Sequence, residues 1–325
     1  MKPIPRLAGV SVATFARDYL AGEGAPVIVT DAMSGWAAQE WSFELFRRKY
    51  GSKIVQVSSA LGDNTTSRWV RLDEYIDYIE QPHASPLSRM TSPDKPFYAY
   101  AYKPFSKNAE LKNAFSTPYF LEDWYQYLEE PLLSILNPGW LLLGGKHTVS
   151  QLHQDFFSTH TWFAQVKGVK DFVLFPPSDA PFLYGGAVNP LAPDLARYPL
   201  FERAAGHRCQ VGPGEVLCLP ADWWHHVVAV EESITLSFEF VNQTNFNRFL
   251  TALLRNLPDT VQRFLSMEAL RALGAHWLCK GFTTRAAIDI ARAWLAHEST
   301  QVRAGALQIL IDQGQERWLM DELLG

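Results

Sequence analysis

The sequence predicts an α+β protein with a β-sandwich or barrel at its centre. Three observations point there. Short runs rich in β-branched or aromatic residues recur through 139–245, turn residues punctuate them, and from 246 onward the apolar residues fall at helical spacing instead. With 325 residues, 47% of them hydrophobic and 19% charged, the chain has the material for a large core.

Ahead of the centre, helices and strands alternate. Ser11 is placed to cap a short helix through Tyr19, and Pro26-Val27-Ile28-Val29 reads as a buried strand. Residues 41–50 are helix-like and close at Gly51, and 54–57 form a short strand. Residues 61–95 are polar and turn-rich and read as loops around one helix at 72–79. Phe97-Tyr98-Ala99-Tyr100-Ala101-Tyr102 alternates rings with small residues, which puts the three tyrosines on one face of a strand. In the centre the strand runs are 140–144, 148–153, 161–166, 170–175, 215–219, 225–230 and 233–241. The turns between them are Gly144-Gly145, Lys167-Gly168, Pro176-Pro177, Gly212-Pro213-Gly214 and Glu231-Glu232. Residues 184–207, rich in Pro, Gly and Asn, read as a long insert between strands. Past the centre, 247–256, 260–273, 284–295, 301–312 and 317–324 read as helices, which divides the chain into domains 1–245 and 246–325.

Composition excludes several classes. The net charge is −5 and no Lys/Arg-rich run occurs, so a general nucleic-acid surface is not expected. Three cysteines without a CxxC argue against a disulfide framework or a Cys-type zinc site, and suit a reducing cytoplasm. No apolar run reaches the length of a membrane span, and the opening MKPIPRLAGVSVATF lacks the apolar stretch of a signal peptide; a soluble, cytoplasmic protein is expected. Aromatic residues make up 13%, including 11 Trp, in keeping with a β-rich core or a ring-lined cleft.

The sharpest local feature is His153-Gln154-Asp155 inside a predicted strand. The two-residue period of a strand puts His153 and Asp155 on one face, close enough to chelate one metal. A third ligand has to come from a neighbouring strand. His225, in Trp224-His225-His226-Val227, is a candidate, and the adjacent His226 has a rival claim. Two imidazoles and one carboxylate leave open positions on a metal, an arrangement that suits non-haem Fe(II) oxygenases. A His-x-Asp triplet also arises by chance among nine histidines and 34 acids, and a histidine on a strand is more often structural.

Three stretches in order raise this above chance: Ser150-Gln-Leu-His153-Gln-Asp155, then 163–177 with Gly168, Lys170 and Pro176-Pro177, then Gly212-Pro-Gly-Glu-Val-Leu-Cys-Leu-Pro220-Ala-Asp-Trp-Trp-His225-His-Val227. Together with Gly24-Ala-Pro-Val-Ile-Val29, Gly35-Trp36-Ala37 and the Asn189-Pro190 to Tyr198-Pro199 insert, they resemble the JmjC and cupin-like (cupin-8) 2-oxoglutarate oxygenases over 5–245. They look especially like the branch of the asparaginyl hydroxylase that inhibits hypoxia-inducible factor and the small JmjC-only protein hydroxylases. The resemblance implies a double-stranded β-helix (jelly-roll) core with amino-terminal α/β flanks and a carboxy-terminal all-helical segment. It makes His153, Asp155 and His225 the iron ligands and the catalytic set, with Lys170 holding the distal carboxylate of 2-oxoglutarate. Ser150 and Tyr98 match positions that hydrogen-bond the same carboxylate, and Val227 matches an apolar wall of that pocket.

Each of these residues also has a plainer reading. Lys170 beside a Lys167-Gly168 turn reads as solvated, Val227 as core, and Tyr100 or Tyr102 as an alternative to Tyr98. Ser150, three residues before His153, need not share the ligands' face. Relatives carry an asparagine that contacts the co-substrate carboxylate after the His-x-Asp triplet; at that position this chain has Thr161 or Thr159, within a stretch two residues longer than in the asparaginyl hydroxylase. Glu239 stands where that relative has an asparagine near the iron, and faces either the metal or solvent.

The resemblance implies an Fe(II)-dependent hydroxylase that consumes 2-oxoglutarate and O2, releases succinate and CO2, and acts on a side chain of a protein or peptide. Free amino acids, other small molecules, modified tRNA bases and methyl-lysine demethylation are alternatives within the same chemistry. Non-catalytic cupin-like metal-binding interaction proteins, and cupin isomerases or dioxygenases that use no 2-oxoglutarate, are alternatives outside it, and neither requires an anion clamp at Lys170. Phe249, Leu250, Leu253, Leu254 and Leu257, followed by Trp277, Trp294, Trp318 and neighbouring leucines, give 246–325 a heavy apolar load. Some relatives dimerise through carboxy-terminal helices, and a homodimer is expected here on the same grounds.

Overall fold

The structure, a computed structural model, describes residues 1–59, 66–127, 137 and 139–255. Contacts divide the chain into two units: 1–121 with 137–240, and 122–136 with 241–325. The first unit holds the strands. In chain order they are β1 (Arg6–Leu7), β2 (Val27–Val29), β3 (Ile54–Val57), β4 (Arg68–Arg71), β5 (Tyr98–Tyr102), β6 (Trp140–Gly144) and β7 (Val149–His153), then β8 (His160–Lys167), β9 (Lys170–Phe175), β10 (His207–Val211), β11 (Val216–Leu219), β12 (Trp224–Ala229) and β13 (Ser233–Phe240). A seven-stranded sheet runs β1-β2-β11-β8-β13-β6-β5, a four-stranded sheet runs β10-β9-β12-β7, and β3 and β4 form a separate ribbon. Every pairing is antiparallel except β1 with β2. This mostly antiparallel two-sheet architecture with a few helices is a jelly-roll-like α+β fold.

Strand alternation divides the seven-stranded sheet between two cores. Val27, Val29, Leu141, Leu143, Trp162, Ala164, Val216 and Leu236 point to one side, into a cluster shared with helices Phe43–Tyr50 and Leu72–Glu80. Ile28, Leu142, Phe163, Leu217 and Leu219 point to the other side, where they meet Phe172, Leu174, Cys209, Val211 and Val227 of the four-stranded sheet. The second cluster lies between the sheets, and the candidate site grows out of it. On the far face of the four-stranded sheet, Leu152, Val173 and Phe175 pack under Leu183, Val188 and Phe201 of the 177–203 segment. That segment consists of 3-10 turns at Pro177–Phe182, Tyr184–Gly186 and Pro199–Arg203, in line with its Pro and Gly content.

The two flanking helices follow local rules. Ser42 caps Phe43–Tyr50, its Oγ accepting from the Leu45 N–H, and Arg47, Arg48 and Lys49 occupy the carboxy-terminal turn. In Leu72–Glu80 the buried residues Leu72, Tyr75, Ile76 and Ile79 recur at helical spacing. The Tyr75 hydroxyl accepts the Ala99 N–H at 3.1 Å and donates to the Leu143 carbonyl at 2.9 Å, which ties β5 to β6 one residue from Tyr98.

Two strands lie where loops are expected. Arg68–Arg71 pairs with β3, and His207–Val211 pairs with residues 170–174 of β9. Both interleave Arg with apolar or half-buried residues, which shortens their apolar signature below a recognisable run. Strand β7 ends at His153, so Asp155 lies two residues past it and not inside it. No helix among the described residues is long and apolar enough to cross a membrane.

In the second unit, a 3-10 turn at Trp124–Tyr127 meets helix Phe246–Arg255 through ring contacts, Trp124 with Phe246 at 5.3 Å and Tyr125 with Phe249 at 5.9 Å. Asn242 closes the turn into that helix, its Oδ1 accepting from the Thr244 N–H. The homodimer expected of 246–325 falls, beyond Arg255, outside the described residues.

Candidate metal centre

Strand β12 is paired on both edges. His225 stands opposite Leu174 of β9 and His153 of β7, Val227 opposite Phe172, and Ala229 opposite Lys170. Directly paired residues project to the same face, so His153, His225, Val227, Phe172 and Lys170 all look into the space between the sheets. Asp155 joins them because its backbone stays extended (φ −69°, ψ 160°), which prolongs the alternation past the end of β7.

The three side chains His153, Asp155 and His225 offer one ligand atom each, all within 4.8 Å of one another. Asp155 Oδ1 lies 3.9 Å from His153 Nε2 and 3.7 Å from His225 Nε2. Both Nδ1 atoms face backbone carbonyls, Gln151 O at 2.6 Å for His153 and Trp223 O at 3.3 Å for His225. A carbonyl only accepts, so each Nδ1 donates there, which turns each Nε2 towards Asp155. Burial, then the neighbouring His153, hold the His225 imidazole well below its ordinary pKa and therefore neutral, the form that ligates. The Thr161 hydroxyl donates to Asp155 Oδ2, fixing the carboxylate from the β8 side. Two imidazoles and one oriented carboxylate fit a divalent metal with positions left open.

Lys170 is 2% exposed, far from the solvated lysine a turn would suggest. Its neighbour Asp171 takes the opposite face of β9 and pairs with Arg208 at 2.6 Å, leaving Lys170 to point inward. Its Nζ donates to the Tyr98 hydroxyl at 2.9 Å. Burial pushes its pKa down to about 7 and the Tyr98 phenol up. A buried lysine facing a phenol, with no carboxylate in ion-pair range among the described residues, is a socket for an anion.

The register settles the remaining positions. Between the His225–His153 and Val227–Ser150 pairs, β7 has one more residue than β12, a bulge that puts Ser150 on the inner face despite its odd spacing from His153. A second irregularity, between Ala99–Leu143 and Tyr102–Leu141, turns Tyr102 to the outer core with Leu141 and corrects the expectation of three tyrosines on one face. Tyr98 and Tyr100 stay inside. His226 pairs with Val173, whose face looks away from the metal set, and lines a separate cavity with Gln151 and Asn189. Glu239 stands opposite Thr161, buried and inward, and not towards solvent. Burial and then Asp155 raise its pKa well above the ordinary carboxyl range.

Sequence reasoning left out Phe163, whose ring lies 5.8 Å from His225 and 5.5 Å from Phe172. Its signal was an inward strand position two residues after Thr161. It also had no access to the carbonyls of Gln151 and Trp223, since backbone groups leave no mark in a sequence.

Replacing His153, Asp155 or His225 with Ala should abolish most Mn(II) or Co(II) binding while thermal unfolding stays cooperative. His226→Ala should keep the metal. Metal titration by calorimetry checks this, and full binding by Asp155→Ala would remove the assignment. Between pH of about 7 and 10.5 the unfolded chain holds a proton that native Lys170 has shed, so stability should rise with pH through that window, with the full penalty present below it. Denaturant unfolding should show this rise flattened in Lys170→Met, and an unchanged slope would contradict the burial of the charge.

Residues 12–246 match the cupin-like domain family. The chain is 31% identical to the bifunctional peptidase and (3S)-lysyl hydroxylase JMJD7 of Homo sapiens, over 69% of this chain and 79% of that protein. It is 25% identical to the bifunctional arginine demethylase and lysyl-hydroxylase psr-1 of Caenorhabditis elegans, over 73% and 60%, and 24% identical to the lysine-specific demethylase JMJ21 of Arabidopsis thaliana, over 75% of this chain. The chain spans 26% of that plant demethylase's length. With the domain match covering most of its length, the chain belongs to the cupin-like, JmjC-type oxygenase family.

Proposed function

We propose that this oxygenase depends on Fe(II) and 2-oxoglutarate and hydroxylates a side chain of a protein or peptide. One observation carries the reading most: the buried Lys170–Tyr98 pair opens onto the same inner face as His153, Asp155 and His225. Isomerases and interaction proteins of the fold have no use for a desolvated cation there, whereas a dicarboxylate co-substrate does. The names of the relatives, among them two lysyl hydroxylases, support a protein substrate and favour hydroxylation.

In this reading His153, Asp155 and His225 hold the iron. Bound there with 2-oxoglutarate and O2, it supplies oxidation of an unactivated C–H, with succinate and CO2 formed from the co-substrate. Lys170 and Tyr98, with Ser150 on the same face, bind the distal carboxylate; Val227, Phe163 and Phe172 exclude water from the interior behind it. Thr161 acts through Asp155, as a positioning residue, in place of the direct co-substrate contact that the resemblance suggested. The free, buried thiols of Cys209 and Cys218 support a reducing, cytoplasmic setting.

Purified protein with Fe(II) and ascorbate should convert 2-oxoglutarate to succinate. Lys170→Ala should raise the 2-oxoglutarate concentration required by about ten- to a hundredfold, the value of a charge-assisted contact, and leave iron affinity nearly unchanged. An unaltered 2-oxoglutarate titration in that variant would sink the reading. The apolar load of 246–325 further supports a homodimer, and light scattering that gives a monomer mass across micromolar concentrations would exclude it.

A further inference from the structure

Glu239 is the buried ionisable group that the chemistry above does not use. It is 8% exposed, on β13 directly opposite Thr161, the residue that fixes Asp155. Thr159 hydrogen-bonds its side chain. The charged groups facing it are Asp155, which repels, and Lys103. Lys103 is exposed, with its Nζ over the Trp140 ring at 5.4 Å, and among the described residues no lysine or arginine forms an ion pair with Glu239. The His153 side chain is 30% exposed, so solvent reaches the metal set.

Charge balance gives this carboxylate a task. In the loaded site a divalent metal and Lys170 together offset Asp155 and the two carboxylates of 2-oxoglutarate. A further negative charge at Glu239 has no counter-ion in that desolvated interior, so ionising it is costly until a cation arrives. Resting on the function proposed above, we infer that Glu239 is the specificity-determining residue of this site, accepting the ammonium or guanidinium group of a cationic substrate side chain. A neutral side chain of the same shape leaves the carboxylate unpaired, and that difference sets the preference.

The probes are Nα-acetyl-lysine methylamide, Nα-acetyl-arginine methylamide and the neutral Nα-acetyl-norleucine methylamide. Each is added to protein loaded with Mn(II) and 2-oxoglutarate, and binding is read from relaxation of its side-chain protons by the Mn(II). At least one cationic probe should bind about ten- to a hundredfold more tightly than the norleucine probe. Glu239→Gln should reduce that ratio to about twofold or less, the residue of long-range field alone, and Lys103→Met should preserve it. Equal binding of cationic and neutral probes, no binding of any probe, or a preference that survives Glu239→Gln overturns the assignment. If Glu239→Gln does not fold, Glu239→Asp keeps the charge and shortens its reach; a preference undiminished in that variant also overturns it. Mn(II) and 2-oxoglutarate loading are titrated beforehand, because failure there refutes the underlying function and this inference with it, whereas normal loading without cation preference refutes Glu239 alone.

Discussion

Because β12 is hydrogen-bonded along both edges, to β9 on one side and β7 on the other, the direction of each of its side chains is fixed twice. A slip of one residue would exchange His225 for His226 and carry the candidate ligand to the far face of the sheet. The same register sets Lys170 opposite Ala229 and Phe172 opposite Val227, so the metal set and the anion socket are placed by a single ladder. Distances in the site therefore follow from sheet geometry and do not depend on loop conformation. Asp155 is the exception, held just past the end of β7 by its extended backbone and by the hydroxyl of Thr161.

A dry interior is what gives these groups their chemical character. Between the sheets, burial keeps His225 neutral, the Tyr98 phenol protonated and the Lys170 ammonium poorly stabilised. Each shift leaves an unmet demand that a ligand would satisfy: a lone pair for a metal, or a cation for an anion. The price in stability falls on the unloaded protein, so metal and co-substrate binding should both stabilise the fold by mass action. Preorganised, desolvated partners also lose little on binding, so a small number of side chains suffices to hold an anion there.

The strands of the centre are legible in the sequence to within a residue or two wherever apolar and β-branched residues run together, as in 140–144 and 170–175. Arg68–Arg71 and His207–Val211 are not, because interleaved arginine and glutamine conceal the period and only the pairing with β3 and β9 shows a strand. Within the site, the His-x-Asp triplet was legible from residue type and spacing; alternation put His225 and His226 on opposite faces, and the family resemblance pointed to His225. Lys170 taken alone read as solvated, because the sequence does not show that Asp171 and Arg208 occupy the outer face and leave it pointing inward. Counting in twos fails at Ser150 and Tyr102 for one shared reason. Each lies beside a register irregularity, and an extra residue in a strand reverses a prediction made by counting in twos.

The centre can tolerate such demanding groups because the fold does not rely on them. Most of the apolar burial lies elsewhere: on the outer face of the seven-stranded sheet, where Trp162, Phe240 and Leu236 meet the helices, and under the 177–203 segment. Those clusters involve no candidate ligand, so removing a ligand leaves their packing intact. The inner cluster mixes the two duties, since Phe163 and Phe172 both fill the core and wall the site. Truncating either ring would cost packing and admit water together, so its effect on activity could not be separated from its effect on stability. Single-atom changes at Lys170, Glu239 and Thr161, where shape is kept and only charge or a hydrogen bond is removed, are for that reason the more informative probes of this site.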